Sequence, residues 1–300
     1  MTEFRGAFTA IVTPMTESGE IDYEGFRRLV QFQIAEGIDG IVPMGTTGEN
    51  PTLDENEEDK LIEIAVKEAA GKIKVIVGAG SNDTRNMVKY VQRAKNMGAD
   101  AALVVTPYYN KPNDDGLLRH FEAASKPGIP IIVYNIASRT GRNIQTSLMK
   151  EIAALPNIAG VKESSGDIGQ MGDVVREIAM PRNNSNNKFW VLSGDDGFTL
   201  PLISMGGHGV VSVVSNIVPA KVKALTKAAL EGKFDEARAI HYELIPLIKA
   251  IFVETNPIPI KQALTWAGLP AGPARLPLGK LTPASEAVLK KVMVDIGLLK

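Results

Sequence analysis

IAGVKES, residues 158–164, sets one lysine, Lys162, inside a short run that is otherwise small and β-branched until its last two residues. Runs of this length and composition read as buried strands. Alternation along such a strand turns Lys162 either into a barrel interior or toward a covering helix layer. Seven similar runs occur in the chain: AFTAIVTP (7–14), GIVPMG (40–45), KVIVGAG (74–80), AALVVTPYY (101–109), PIIVYN (130–135), WVLSGDD (190–196) and GVVSVVS (209–215). Between them lie stretches such as 23–36, 55–70, 84–97 and 147–155, with apolar residues at three- and four-residue spacing, which predicts amphipathic helices. Strands buried on both faces and joined by crossover helices form parallel sheets, and eight such repeats predict closure into one (β/α)8, or TIM, barrel. An open doubly wound sheet would show a G-x-G-x-x-G turn after its first strand, where this chain reads TPMTESGE (13–20).

After the eighth run the pattern is helical only, over 219–230, 234–252, 258–267 and 283–296, with Gly and Pro between. The sequence therefore predicts a catalytic barrel at 1–230 and a C-terminal helical region at 231–300. The polar segment PRNNSNN (181–187) reads as an exposed loop.

Composition narrows the function. The 300 residues are 44% hydrophobic and 22% charged, with a net charge of −1, so no basic surface recommends nucleic acid or an anionic membrane. The chain has no cysteine, which removes disulfides, thiolate metal sites and a thiol nucleophile. The first fourteen residues, MTEFRGAFTAIVTP, do not read as a secretion signal, and the sequence predicts a cytoplasmic protein. His120, His208 and His241 are far apart in sequence and outside any two-histidine ligand spacing, so no metal is expected.

Barrel enzymes collect their chemistry at the C-terminal ends of the strands. The polar residues there are Thr46 and Thr47 after the second run, Tyr108 and Tyr109 after the fourth, Tyr134 and Arg139 at the fifth, Lys162 on the sixth, and Gly194, Asp195 and Asp196 after the seventh. Desolvation favours a neutral amine, which can attack a ketone to form an imine. The alternative for Lys162 is a lysine that reaches solvent or pairs with Glu163. A tyrosine hydroxyl beside the amine can shuttle the proton for carbinolamine collapse, against a plain core aromatic as the other reading of Tyr134 and Tyr109. GTTGE (45–49) offers hydroxyls and backbone N–H groups for a carboxylate, or else forms a helix-entry turn with Thr52 or Asp54 as cap. Arg139 in SRTG could clamp a second carboxylate, or make a surface ion pair.

Together with TPYYNKP (106–112), YNIASRTG (134–141), GVKESSG (160–166), LSGDD (192–196), GGHGVVSV (206–213) and FVETNPIPIK (252–261), these residues resemble the dihydrodipicolinate synthase family of the N-acetylneuraminate lyase superfamily, nearly end to end. The resemblance implies a lyase that condenses pyruvate with L-aspartate 4-semialdehyde in the diaminopimelate route to lysine, without an external cofactor. It implies that Lys162 forms the Schiff base and that Thr46 and Thr47 hold the pyruvate carboxylate. It further implies a proton relay of Tyr134, Thr47 and Tyr109, an interface role for Tyr108, Arg139 on the semialdehyde carboxylate, and Gly194 and Val211 completing the pocket. A homotetramer built from two dimers is implied as well. Ala137 stands where the family usually has proline. The positions matching the family's lysine-inhibition site read Asn50, Pro51, Glu55, Glu58, Asn82, Asn86 and Tyr108, with Asn86 replacing a carboxylate, which leaves inhibition by lysine open. The competing readings are a sister aldolase acting on a 2-oxo-3-deoxy sugar acid or 4-hydroxy-2-oxoglutarate, and a barrel that binds ligand without catalysis.

Overall fold

A computed structural model describes residues 3–182 and 187–299. Eight parallel strands close on themselves in sequence order: β1 (Gly6–Thr9), β2 (Gly40–Ile41), β3 (Lys74–Gly78), β4 (Ala101–Val105), β5 (Ile131–Asn135), β6 (Ile158–Glu163), β7 (Trp190–Ser193) and β8 (Gly209–Ser212). The connecting helices are α1 (Tyr23–Ala35), α2 (Glu55–Ala69), α3 (Thr84–Asn96), α4 (Asp114–Ser125), α5 (Ala137–Thr140), α6 (Thr146–Ala154), α7 (Ile168–Val174), α8 (Thr199–Ser204) and α9 (Pro219–Leu230). Helix α9 packs on β1, β8 and α8 and so covers the closure of the barrel. Then come α10 (Phe234–Ala250), α11 (Ile258–Trp266) and α12 (Pro283–Asp295), with α10 against α9 and α12 against both α10 and α11.

Strand alternation divides the apolar residues into two layers. Phe8, Val42, Ile76, Leu103, Ile132, Tyr134, Leu192 and Val211 fill the barrel interior. Their neighbours Ala7, Ile41, Val77, Val104, Val133, Val191 and Val210 face the helices in a second, larger core. Lys162 pairs in register with Tyr134 on one side and Leu192 on the other, both interior residues, so it points inward.

All eight predicted strands are present; β5 reaches its expected end at Asn135, and the other seven stop short of theirs. Pro43 has no N–H for a ladder and Met44 takes φ 52°, so β2 ends at Ile41. Beyond β4, Pro107 and the positive φ of Tyr109 (68°) turn TPYY out of the sheet. The expected helices 23–36, 55–70 and 84–97 each end one residue earlier than the apolar pattern suggests, at a cap. Of the segment 181–187, residues 183–186 lie outside the described residues, and Pro181 and Arg182 belong to a 3₁₀ turn, Met180–Arg182. No helix among the described residues is long and apolar enough to cross a membrane.

Buried histidines give the fold a pH dependence. His120 on α4 is 3% exposed; its Nδ1 meets the Thr84 hydroxyl at 2.9 Å, while its Nε2 is buried without a partner. Burial pushes its pKa down to about 4, from an ordinary value of 6.5. The folded chain holds this ring neutral, while the unfolded chain takes up the proton below about pH 6.5, so stability is full above that value and falls toward pH 4. Between pH values of about 7 and 5 the urea midpoint of a His120→Gln variant is expected to fall less than that of the parent; equal falls would exclude this residue as a source.

Candidate active site

The C-terminal ends of β2 to β5 surround a cavity of about 290 Å³ lined by Met44, Gly45, Thr46, Asn50, Pro51, Gly78, Gly80, Leu103, Val105, Tyr108, Tyr134, Ile136, Arg139 and Thr140. Glycine is required in its wall: a Cβ on Gly78 would lie 1.9 Å from the Met44 carbonyl oxygen.

Lys162 is 6% exposed, and its Nζ lies 4.0 Å from the centroid of the Tyr134 ring. No carboxylate among the described residues pairs with it. Glu163, the next residue, faces the other way: its oxygens accept from Asn135 Nδ2 at 3.1 Å and from the Ser165 N–H at 2.7 Å. Burial pushes the Glu163 carboxyl up, against these hydrogen bonds. The Glu163 pairing considered from sequence is therefore not made. Gly194 packs onto the lysine stem, because a Cβ there would come within 2.9 Å of Lys162 Cε and 1.8 Å of the Ser164 hydroxyl. Val211 stands in the same interior layer.

The GTTGE turn follows β2. Thr46 lines the cavity, whereas Thr47 is 2% exposed and its Oγ1 accepts from Asn256 Nδ2 at 3.0 Å. The cap of α2 is Asp54, which forms a capping box with Glu57, so neither threonine serves as a helix cap. Arg139 lies on the short helix α5, lines the cavity and donates to the Asn256 carbonyl oxygen at 3.1 Å. Ala137 is the first residue of α5, where an N–H has no intrahelical acceptor; proline and alanine both suit that position.

Tyr108 is at the cavity wall, 39% exposed. Tyr109 is 90% exposed and outside the cavity. No hydrogen bond among the described residues joins the hydroxyls of Tyr134, Thr47 and Tyr109, so one chain by itself does not assemble that relay. Of the positions matched to lysine inhibition, Asn50 donates to Glu58 at 2.7 Å and Asn82 to the Tyr108 carbonyl oxygen at 3.4 Å. Asp195 caps the 3₁₀ turn Asp196–Phe198, and Asp196 accepts from the N–H groups of Val213 and Val214 at 2.9 and 3.2 Å. Burial raises the Asp196 pKa to about 6. Asp196 thus ties the loops after β7 and β8 together, while Asp195 bonds within the loop after β7.

Sequence reasoning missed the contribution of the C-terminal helices. Lys261 on α11 is fully buried and donates to Glu49 Oε1 at 2.6 Å and to the carbonyl oxygens of Thr13 and Pro273 at 3.0 and 2.7 Å. The other Glu49 oxygen accepts from the Arg275 N–H at 2.8 Å. Burial pulls the Lys261 pKa down, opposed by Glu49. The pair pins a residue in left-handed conformation, Glu49 at φ 57°, at the end of the threonine turn. The only signal in the sequence is FVETNPIPIK (252–261), a motif of the family resemblance that ends on Lys261.

Three comparisons bear on this arrangement. The dihydrodipicolinate synthetase family matches residues 3–296. The 4-hydroxy-tetrahydrodipicolinate synthase of Protochlamydia amoebophila is 50% identical over 293 residues, covering 97% of this chain and 96% of that protein. Among solved structures, dihydrodipicolinate synthase from Aquifex aeolicus superposes with a TM-score of 0.93 at 45% identity, over 98% of this chain and 99% of that one. The chloride-inhibited dihydrodipicolinate synthase from Acinetobacter baumannii, complexed with pyruvate, gives 0.94 at 35% identity, over 99% and 100%.

Removing one partner of a buried ion pair leaves an uncompensated charge. Lys261→Met is expected to cost about 3–5 kcal/mol in urea unfolding, and adding Glu49→Gln to recover much of it. A single variant as stable as the parent would show that the pair does not hold the turn.

Proposed function

The chain belongs to the dihydrodipicolinate synthetase family, and on that premise we propose that it condenses pyruvate with L-aspartate 4-semialdehyde, giving 4-hydroxy-tetrahydrodipicolinate, with Lys162 as the Schiff-base lysine. The observation that carries the residue assignment is an amine inside the barrel, unpaired with any carboxylate among the described residues, against Tyr134 and beside a cavity walled by a threonine turn and an arginine.

The Lys162 amine adds to C2 of pyruvate, and the resulting carbinolamine loses water, with Tyr134 returning the proton that makes hydroxide a leaving group. Thr46 and Thr47, with the backbone N–H groups of their turn, hold the pyruvate carboxylate. Loss of a C3 proton gives the enamine, whose carbon attacks the aldehyde of the second substrate. Arg139 holds that substrate by its carboxylate, a planar two-oxygen group suited to a guanidinium. The substrate's own amine then displaces Lys162 from the imine carbon, which closes the ring and restores the free lysine. No step needs an external electron acceptor, since the imine itself withdraws the electrons.

Tyr109 completes this scheme only from outside its own chain. An aromatic ring 90% exposed on backbone of positive φ is an expensive feature for a surface loop. We assign it to the cavity of a second copy, with Tyr108 at the same contact, in a homotetramer of two dimers as the resemblance implies.

Borohydride added with pyruvate is expected to fix one pyruvyl adduct on Lys162, seen by mass spectrometry, and none on Lys162→Ala, which should also have no turnover. Turnover should favour aspartate semialdehyde over glyoxylate and sugar aldehydes; preference for another aldehyde would keep Lys162 and reassign Arg139. Tyr134→Phe is expected to lower kcat by roughly 10²–10⁴. Mixing inactive Lys162→Ala with impaired Tyr109→Phe under conditions of subunit exchange should restore part of the turnover, whereas independent sites would give only the sum of the two.

A further inference from the structure

The segment between α10 and α11 carries one buried polar residue that no step above uses. We infer that Asn256 is a positioning residue that sets the direction of the Thr47 hydroxyl and anchors Arg139, so that the C-terminal region orients the groups for both substrates. This rests on the roles given to Thr47 and Arg139 above.

Asn256 is 6% exposed and uses two different groups on two different loops. Its Nδ2 donates to Thr47 Oγ1 at 3.0 Å, and its main-chain oxygen accepts from Arg139 at 3.1 Å. An amide nitrogen can only donate. Thr47 must therefore spend a lone pair on Asn256, and its single proton is left for another acceptor. A hydroxyl that relays protons needs such a fixed polarity, because it has one proton to give and must give it toward the reacting atoms. Nothing else does this for Thr47: no other side-chain hydrogen bond reaches its Oγ1 among the described residues.

The amide is placed firmly. Five residues on, Lys261 is tied to Glu49, two residues beyond Thr47, so segment and turn are held together at two points. The Asn256 Oδ1 is buried with no protein partner. A purely structural asparagine would be expected to satisfy both ends of its amide; this one satisfies the end that faces Thr47. Turning the amide over would make Thr47 donate to Oδ1 and point its proton away from the pocket. The two orientations make opposite predictions for aspartate, which accepts when ionised and donates when protonated.

The test uses the full-length chain with steady-state kinetics across pH, borohydride trapping with pyruvate, and thermal melts, on Asn256→Asp and Asn256→Ala. Asn256→Asp is expected to lower kcat by about tenfold or more at neutral pH, with activity recovering as pH falls and the new carboxyl regains a proton to donate. Asn256→Ala should lower kcat at every pH and leave the KM for the semialdehyde near that of the parent, because the main-chain oxygen under Arg139 remains. In a Thr47→Val background, where no hydroxyl is left to orient, Asn256→Ala should cost no further activity; this cycle reads the coupling even if stability drops. Parental kcat and pH profile in Asn256→Asp would overturn the inference, as would an Asn256→Ala effect of equal size with and without the Thr47 hydroxyl. Failure of the parent itself to trap pyruvate would instead strike the Schiff-base reading.

Discussion

An amine held inside an apolar barrel without a counter-ion is the constraint around which the rest is arranged. Transferring such a group from water is costly unless something replaces its hydration. Here the amine lies against the face of the Tyr134 ring, 4.0 Å from its centroid. The nearest candidate for an ion pair, Glu163, is turned outward by strand alternation and bound to Asn135, Ser165 and Gln170. A stabilising salt bridge was one residue away, and the pleat forbids it. Gly194 contributes by absence, since any side chain there would occupy the space of the lysine stem. What is poor economy for folding is suitable for a nucleophile, which must meet its substrate unencumbered.

The strained backbone follows the same logic. Met44, Glu49, Tyr109 and Lys111 have positive φ, and all four lie on the loops after β2 and β4, at the cavity or next to it. Such conformations each cost on the order of 1–3 kcal/mol and persist where surroundings over-determine them. For Glu49 the surroundings are Lys261 and the Arg275 N–H, both from beyond the barrel. Arg275 also donates to the Thr52 carbonyl and to Glu57, so the turn and the start of α2 are gripped together. The helices that follow β8 are thus part of how the site is built, although none of their side chains lines the cavity.

The fold was legible because its two periodicities are strong. β-Branched runs flanked by helical windows left little choice of architecture, and Lys162 stood out because a charged residue in such a run violates the pattern. Strand ends were less legible, since Pro43, Pro107 and the left-handed residues stop the ladder while hydrophobicity continues. Long-range contacts were not legible at all from spacing. Thr47 and Asn256 are 209 residues apart, and no local pattern links them. Lys261 and Glu49, 212 apart, are each an unremarkable charged residue until the fold buries both.

Tyr109 shows where a residue's type and its environment disagree. As a sequence element it follows an apolar strand and is open between a relay hydroxyl and a core aromatic; as a structural element it is the most exposed large hydrophobic residue among those described. Surface loops seldom keep a tyrosine on backbone of positive φ without a contact to justify both the ring and the strain. Neighbouring Lys111 shares the left-handed conformation, and Asn110 is tied to the Asn82 carbonyl at 2.8 Å, so the ring is presented by a braced loop and not by a free one. A ring offered outward on a braced loop, at 90% exposure, is the observation behind the proposal that Tyr109 serves the cavity of a second copy.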